Sequence, residues 1–160
     1  MAETTGRIIV MKALLQRVDQ ASVMIDGRVT GKIDQGLVVL LGVAAGDGEK
    51  DADYLFDKIL NMRIFNDEES KFNRSLLQIG GGLLVISQFT LLADTRHGRR
   101  PSFSDAEMPE KAEALYNYFM NKVKGSGLQV ASGIFAAHMK VNLTNDGPVT
   151  IMIDSKDRVL

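Results

Sequence analysis

Cysteine and tryptophan are absent from this chain, proline occurs three times and histidine twice. Without cysteine there is no disulfide framework, no thiol nucleophile and no thiolate-bound metal or cluster, and a reducing, cytoplasmic location is expected. Long apolar runs are missing too. Segments such as Leu37–Leu41 and Leu83–Ile86 fall far short of the roughly 20 residues that a membrane-spanning helix requires, so a soluble protein is expected. The start, Met1 to Val10, carries one arginine and the short run Ile8-Ile9-Val10, too little for the apolar region of a secretory signal. An excess of one charge is lacking as well. With 19 basic against 20 acidic residues the net charge is -1, so nucleic acid would have to be met by a local basic patch rather than by a whole-molecule field.

What remains is a chain of 160 residues with 45% hydrophobic content, enough for one packed core. We read residues 1–10 as an extension or leader and 11–160 as one domain. Lys12–Val18 and Ala21–Ile25 have strand character, and Asp26-Gly27 is a tight hairpin signal because both residue types accept positive φ. Leu37–Val43 is continuously apolar, as in a strand buried on both faces. After Gly48, the residues Ala52, Leu55, Phe56, Ile59 and Leu60 recur at helical spacing on one face. A short strand is expected at Met62–Phe65, a polar loop at Asn66–Asn73, and a strand at Leu83–Phe89 after the break at Gly80-Gly81-Gly82. Ser104-Asp105-Ala106-Glu107 has the capping-box pattern, with Phe103 and Met108 placed as a hydrophobic staple. Pro109, comfortable only in a first turn, moves the regular helix to Pro109–Val123, with a stop at Gly125. Strands follow at Leu128–Ser132, Ile134–Leu143 and Val149–Asp154. The pattern predicts a single α+β domain, mostly antiparallel, with two main helices.

The candidate chemistry is sparse. Ser87, Thr90, His97 and His138 supply hydroxyls and imidazoles, but no Gly-x-Ser-x-Gly elbow or recognisable triad orders them. His97 and His138 lie far apart with no His-x-x-x-His or Glu-x-x-His pairing, so no metal and no cofactor are predicted. Arg96-His97-Gly98-Arg99-Arg100-Pro101 is the densest basic cluster, readable as a solvated turn or as a seat for phosphates. Gly147-Pro148 within Asn145-Asp146-Gly147-Pro148-Val149-Thr150 reads as a plain turn or as a cis element that directs its carbonyls where a trans chain cannot. Ser87-Gln88-Phe89-Thr90-Leu91 reads as an edge strand or as a strand end whose amides and hydroxyls face a ligand.

Taken together, these last two segments resemble the two signatures of the D-aminoacyl-tRNA deacylases. The resemblance extends over Gln16-Arg17-Val18, Ala21-Ser22-Val23, Leu40-Leu41-Gly42-Val43, Arg63-Ile64-Phe65, Gly98-Arg99-Arg100-Pro101-Ser102-Phe103 and Phe135-Ala136-Ala137-His138-Met139, from about Met11 to Asp154. Two departures stand out: family members often carry glycine where Ala136 stands and an acidic residue where His138 stands. The resemblance implies barrel-like sheets and a homodimer. In it, Gly147-Pro148 of one subunit, held in cis, enters the partner's pocket beside Ser87, Gln88, Phe89 and Thr90. It implies hydrolysis of the ester between a D-amino acid and the 3′-terminal adenosine of tRNA, glycyl-tRNA included. Ser87 to Thr90 would be the catalytic group, and Gly147, Pro148, Asn145, Met139 and Arg99 would bind substrate. A non-catalytic nucleic-acid-binding module and an esterase for small D-amino-acid esters are the rival readings.

Overall fold

Lys12–Ile25 forms one long strand, β1, where the sequence predicts two. The polar break at Asp19 and Gln20 is absorbed instead as a slip in the pairing register at Asp19, since a bulge lets a strand bend and continue. The structure, a computed structural model, describes residues 8–159; residues 1–7 of the expected extension lie outside the described residues. The Asp26-Gly27 turn has φ of 49° and 76°, as a primed hairpin turn requires, and delivers the chain into β2 (Arg28–Ile33). The sheet is completed by β3 (Gly36–Gly42), β6 (Gly82–Ser87), β7 (Val130–Ser132) and β8 (Lys140–Asp154).

The order is β2-β1-β3-β6-β7, with β8 also paired to β1. Pairings of β1 with β2, β3 and β8 are antiparallel. β6 runs parallel to both β3 and β7, because crossovers through helices join them. The sheet curls until β2 meets β7: a side chain at Gly31 would lie 2.8 Å from the Ser132 carbonyl oxygen. The result is a nearly closed barrel, as the family resemblance implies.

Both faces of the central strands are buried. Leu37, Val39, Leu41, Leu83 and Val85 join Ala52, Leu55, Ile59, Leu115 and Phe119 in the helix-side core, while Val38, Leu84 and Ile86 join Val18, Val23 and Ile33 inside the barrel. This two-sided burial explains why β3 and β6 read as unbroken apolar runs. The two main helices are α1 (Glu49–Asn61) and α3 (Pro109–Lys124). A third helix, α2 (Leu76–Ile79), is a single turn capped by Ser75 and Gln78. No helix among the described residues is long and apolar enough to cross a membrane.

α3 begins at Pro109 as expected, with Met108 as N-cap; the capping-box pattern at Ser104 stays outside it, because Glu107 N–H is held by the Val43 carbonyl and its carboxylate accepts from Gly46 and Met108. Three local expectations need correction. The strand predicted at Leu83–Phe89 ends at Ser87, where the chain turns into the 3-10 segment Phe89–Leu92. Part of the predicted polar loop pairs as a hairpin of β4 (Phe65–Asn66) and β5 (Phe72–Arg74). Ile134–Leu143 is extended only from Lys140, because Ala136 adopts φ of 62° in a turn closed by Ala137 N–H to the Ile134 carbonyl.

Candidate active site

The first signature sits where the buried strand β6 reaches the surface. Ser87 still pairs with Leu41, and the Gln88 amide donates to the Leu41 carbonyl at 2.8 Å. Gly42 leaves room for the turn beyond Gln88, since a Cβ there would lie 2.6 Å from the Leu92 side chain and 3.0 Å from the Gln88 carbonyl. Phe89 and Thr90 are exposed, and the Gln88 side-chain amide donates to the Thr90 hydroxyl. The Phe89 ring, 55% exposed, meets Phe103 edge-on at 5.0 Å between centroids. Phe89 and Thr90 open the 3-10 segment, and the first amides of a helical turn are those that lack an intrahelical acceptor. The segment therefore presents donors and a hydroxyl from a rigid strand end.

The second signature is not a turn between two strands, as the sequence suggests. β8 runs unbroken from Lys140 to Asp154, with both halves on the same edge of β1. Thr150 pairs with Gln16 and Asn145 with Val18, so four residues bulge out opposite one, Arg17. The Gly147-Pro148 bond in this bulge is cis. Gly147 has φ of 138°, and a Cβ there would come within 2.8 Å of the Val149 side chain.

Two side chains hold the bulge. Asn145 accepts from the Val149 amide at 2.7 Å and donates to the Val149 carbonyl and the Thr150 hydroxyl at 3.1 and 3.0 Å. Arg17, only 5% exposed, donates to the Asp146 and Ile64 carbonyls at 2.9 Å each and to Asn66 at 3.3 Å. Its guanidinium also lies 3.6 Å from the Asp146 carboxylate and 5.3 Å from the centre of the Phe72 ring. The sequence marks Arg17 only through the family resemblance. The local signal for its role is a cation in the interior of a strand's apolar pattern.

Within one protomer the two signatures are apart. Arg17 pairs with Leu37 and Leu37 with Leu83, whereas Ser87 pairs with Leu41 and Leu41 with Ala13. The offset is four residues along the strands and three strands across, roughly 13 Å by 14 Å at about 3.3 Å per residue and 4.8 Å per strand. Measured along the sheet they are therefore roughly 20 Å apart. Between them runs a row of cross-strand neighbours, Met152, Leu14, Leu40 and Ile86, with Met152 half exposed at 50% and Ile86 buried at 2%.

The remaining candidates fall in three places. Arg99 and Arg100 are exposed in a loop pinched at its base by paired hydrogen bonds between Asp94 and Ser102. In the same loop Arg96 is tied to Asp94 through two side-chain bonds. Met139 packs against the barrel-interior cluster, with its sulfur filling the space above Gly133. His97 and His138 are exposed, and among the described residues no group of three or more histidines, cysteines and carboxylates could hold a metal ion.

In the loop that follows β3, Asp47 accepts the Ala44 and Met11 amides at 2.6 and 3.1 Å. It thereby fixes the loop that pairs with Asp105 and Ala106. Burial, helped by the Asp51 and Glu107 carboxylates, pushes the Asp47 carboxyl up to about 7 against those donors. Asp51 moves the other way: burial raises it, but the Gly48 amide, the Ser155 hydroxyl and Arg158 together hold it below the usual carboxylate range.

Comparison with known proteins agrees with this geometry. The family model described as D-Tyr-tRNA(Tyr) deacylase matches residues 14–154. A D-aminoacyl-tRNA deacylase of Caldicellulosiruptor saccharolyticus is 58% identical, covering 91% of this chain and 98% of the relative. One of Dehalococcoides mccartyi is 57% identical, covering 93% and 97%. Among solved structures, a c-Myc DNA unwinding element binding protein superposes with a TM-score of 0.85 at 38% identity, covering 89% of this chain and 97% of that one. A probable eukaryotic D-amino acid tRNA deacylase has a TM-score of 0.79 at 18% identity, covering 90% and 98%, which speaks to the fold alone.

Proposed function

Because this chain belongs to the D-aminoacyl-tRNA deacylase family and is a hydrolase, we propose that it clears D-amino acids from tRNA as a homodimer. Each active site joins Ser87–Thr90 of one protomer to the Gly147-Pro148 bulge of its partner. The observation that carries this reading is the roughly 20 Å that separates the two segments in one protomer, with the partly exposed Leu14 and Met152 between them. A second copy laid across that row in an isologous contact would bring each bulge to the other's turn and cover the apolar side chains. The protein would act in the cytoplasm, with no cofactor.

The chemistry follows from what each element offers. An aminoacyl ester is already activated, so polarisation of its carbonyl by the Phe89 amide, with Thr90 N–H beside it, supplies the main help. Loss of one such donor costs about 10²–10³ in rate. Thr90, oriented by Gln88, positions substrate, and the ribose 2′-hydroxyl beside the ester assists the attacking water. The Gly147 carbonyl occupies the space into which an L side chain would project, while a D side chain points outward. Exclusion by main chain is indifferent to side-chain identity, so many D-residues and glycine are accepted. Arg99 and Arg100 meet the tRNA backbone.

The test is deacylation of D-tyrosyl-tRNA, L-tyrosyl-tRNA and glycyl-tRNA by purified protein in the presence of EDTA. The D and glycyl esters should disappear and the L ester persist. An enzyme that clears D-tyrosyl-tRNA yet leaves glycyl-tRNA intact would break the exclusion mechanism. Persistence of all three by folded, dimeric protein would favour a nucleic-acid-binding module, the kind of role carried in the name of one structural neighbour.

A further inference from the structure

Beyond the bulge, on the Lys140 side of β8, the outer surface of the barrel carries a cleft of about 460 Å³ between β2, β1 and β8. Ser22 lies at its centre, paired with Lys32 on one side and Asn142 on the other, and Gln20 pairs with Thr144. Ala21 and Leu143 alternate with these residues and turn inward, Ala21 being buried and Leu143 packed on the barrel core. The polar wall is thus Gln20, Ser22, Lys32, Asn142 and Thr144, beside the exposed Val29, and no carboxylate is among the described residues that line it.

That composition is selective. Two primary amides, two hydroxyls and an ammonium group are all donors, and lysine is a compact point charge suited to a phosphate. In a protein with one acidic residue more than basic ones, a carboxylate-free wall of donors fits a single phosphodiester with its ribose hydroxyls. The backbone of RNA has this chemistry.

Placement narrows the occupant further. Thr144 directly precedes Asn145, which anchors the bulge, and Gly147 is three residues on in the same strand. The base of the bulge, opposite Arg17, is about two strand residues from Thr144 in the pairing, roughly 7 Å along the sheet, about two steps of a stacked nucleic-acid strand at 3.4 Å each. We propose that this cleft seats the sugar-phosphate backbone of the single-stranded nucleotides just before the terminal adenosine of tRNA. The inference rests on the deacylase reading above. Because Gly147 serves the partner's site in that reading, each acceptor end would be chemically processed by one protomer and held upstream by the other.

The test separates the cleft from the catalytic centre by substrate size. Steady-state kinetics on D-tyrosyl-tRNA and on D-tyrosyl-adenosine would be compared for the wild type and for Lys32→Ala, Lys32→Glu and Lys32→Arg. Lys32 is exposed, so these variants keep the fold. For Lys32→Ala we expect KM for the tRNA ester to rise about three- to tenfold, with kcat unchanged and the adenosine ester untouched. Lys32→Glu should exceed this effect and Lys32→Arg should largely restore affinity. The salt slope of log kcat/KM should shrink by about 0.7, one single-strand phosphate contact. An unchanged tRNA KM, or equal losses on both esters, overturns the proposal. Should the wild type cleave neither ester, the deacylase reading fails, and anisotropy with an uncharged acceptor minihelix still decides the cleft. Weaker binding by Lys32→Glu that vanishes when the minihelix lacks its single-stranded end supports it, and equal affinities overturn it.

Discussion

The turn at Ser87–Leu92 and the bulge at Asn145–Thr150 both reach solvent, but they are held there by opposite means. The turn inherits its position from the core. It continues a strand with five consecutive buried residues from Gly82 and is tied back by a main-chain bond to Leu41. Its own side chains carry little of the fold. The bulge lies on the strand that pairs with β1 alone, and side chains hold it, Asn145 from within and Arg17 from across the sheet. The difference separates two jobs: a strand end presents reactive groups, and a supported loop presents a shape. Substitutions should respect that division, with bulge supports costing stability and selectivity, and turn side chains changing rate on an intact fold.

Arg17→Ala should have the largest effect. It leaves the Asp146 and Ile64 carbonyls and Asn66 without the donor they share. We expect a loss of about 3 kcal/mol in urea unfolding, together with cleavage of L-tyrosyl-tRNA as the bulge loosens. Arg17→Lys should recover only part, because one ammonium cannot serve acceptors spread across a guanidinium fork. Should Arg17→Ala unfold like wild type, the bulge is not held from across the sheet. Asn145→Ala removes a single-residue clamp and should cost about 1–2 kcal/mol. Asn145→Asp keeps the acceptor for the Val149 amide and loses the donor, so its loss should be smaller. Equal losses for the two would show that the donor side carries the clamp.

The bulge and the loop after β3 differ in their response to pH. The Arg17 support is made mainly to acceptors that do not titrate, the Asp146 and Ile64 carbonyls and the Asn66 side chain. The loop that follows β3 depends on Asp47, whose folded pKa of about 7 lies above the ordinary 3.8. Between those values the folded state binds the extra proton, so the contribution of Asp47 to stability is fullest below about 4 and is lost as pH rises toward 7. Urea midpoints measured at pH 5 and 8 should show a decline that Asp47→Asn flattens. A slope unchanged in Asp47→Asn would assign it to other groups. Thr90→Ala, on the turn itself, should leave stability unchanged and lower the rate by no more than about tenfold. Complete loss of turnover by folded, tRNA-binding Thr90→Ala would make Thr90 the nucleophile.

Legibility in the sequence divides along the same line. Ser87–Thr90 and Asn145–Thr150 could be picked out because together they resemble the two family signatures, whereas each alone reads as ordinary strand or turn chemistry. The apolar runs of β3 and β6 and the helical face of α1 could be read because burial imposes a local period. β8 could not be read as one strand, since Gly147-Pro148 looks like a turn until the pairing of both flanks to β1 is known. Arg17 escaped for the same reason: its acceptors at Ile64 and Asp146 lie 47 and 129 positions away. The start of α3 could be read locally from Pro109, whereas the Val43–Glu107 bond that keeps Ser104–Glu107 out of the helix is not local.

Ala136 offers the mildest test, in a region that belongs to neither signature. Its φ of 62° lies where a Cβ crowds the following carbonyl, at a cost of about 1–2 kcal/mol relative to glycine. Glycine in turn gives the unfolded chain more freedom, offsetting about 0.4–1 kcal/mol. Ala136→Gly should therefore stabilise the protein by about 0.5 kcal/mol, a small rise in Tm, with kcat and the D-over-L preference unchanged. Ala136→Val should destabilise by more than that, since a β-branched residue tolerates positive φ worst. The pair isolates backbone conformation from contact, because Ala136 is exposed and the added methyls meet solvent. If the glycine variant were instead less stable, the turn would depend on the stiffness of its chain more than on relief of its φ.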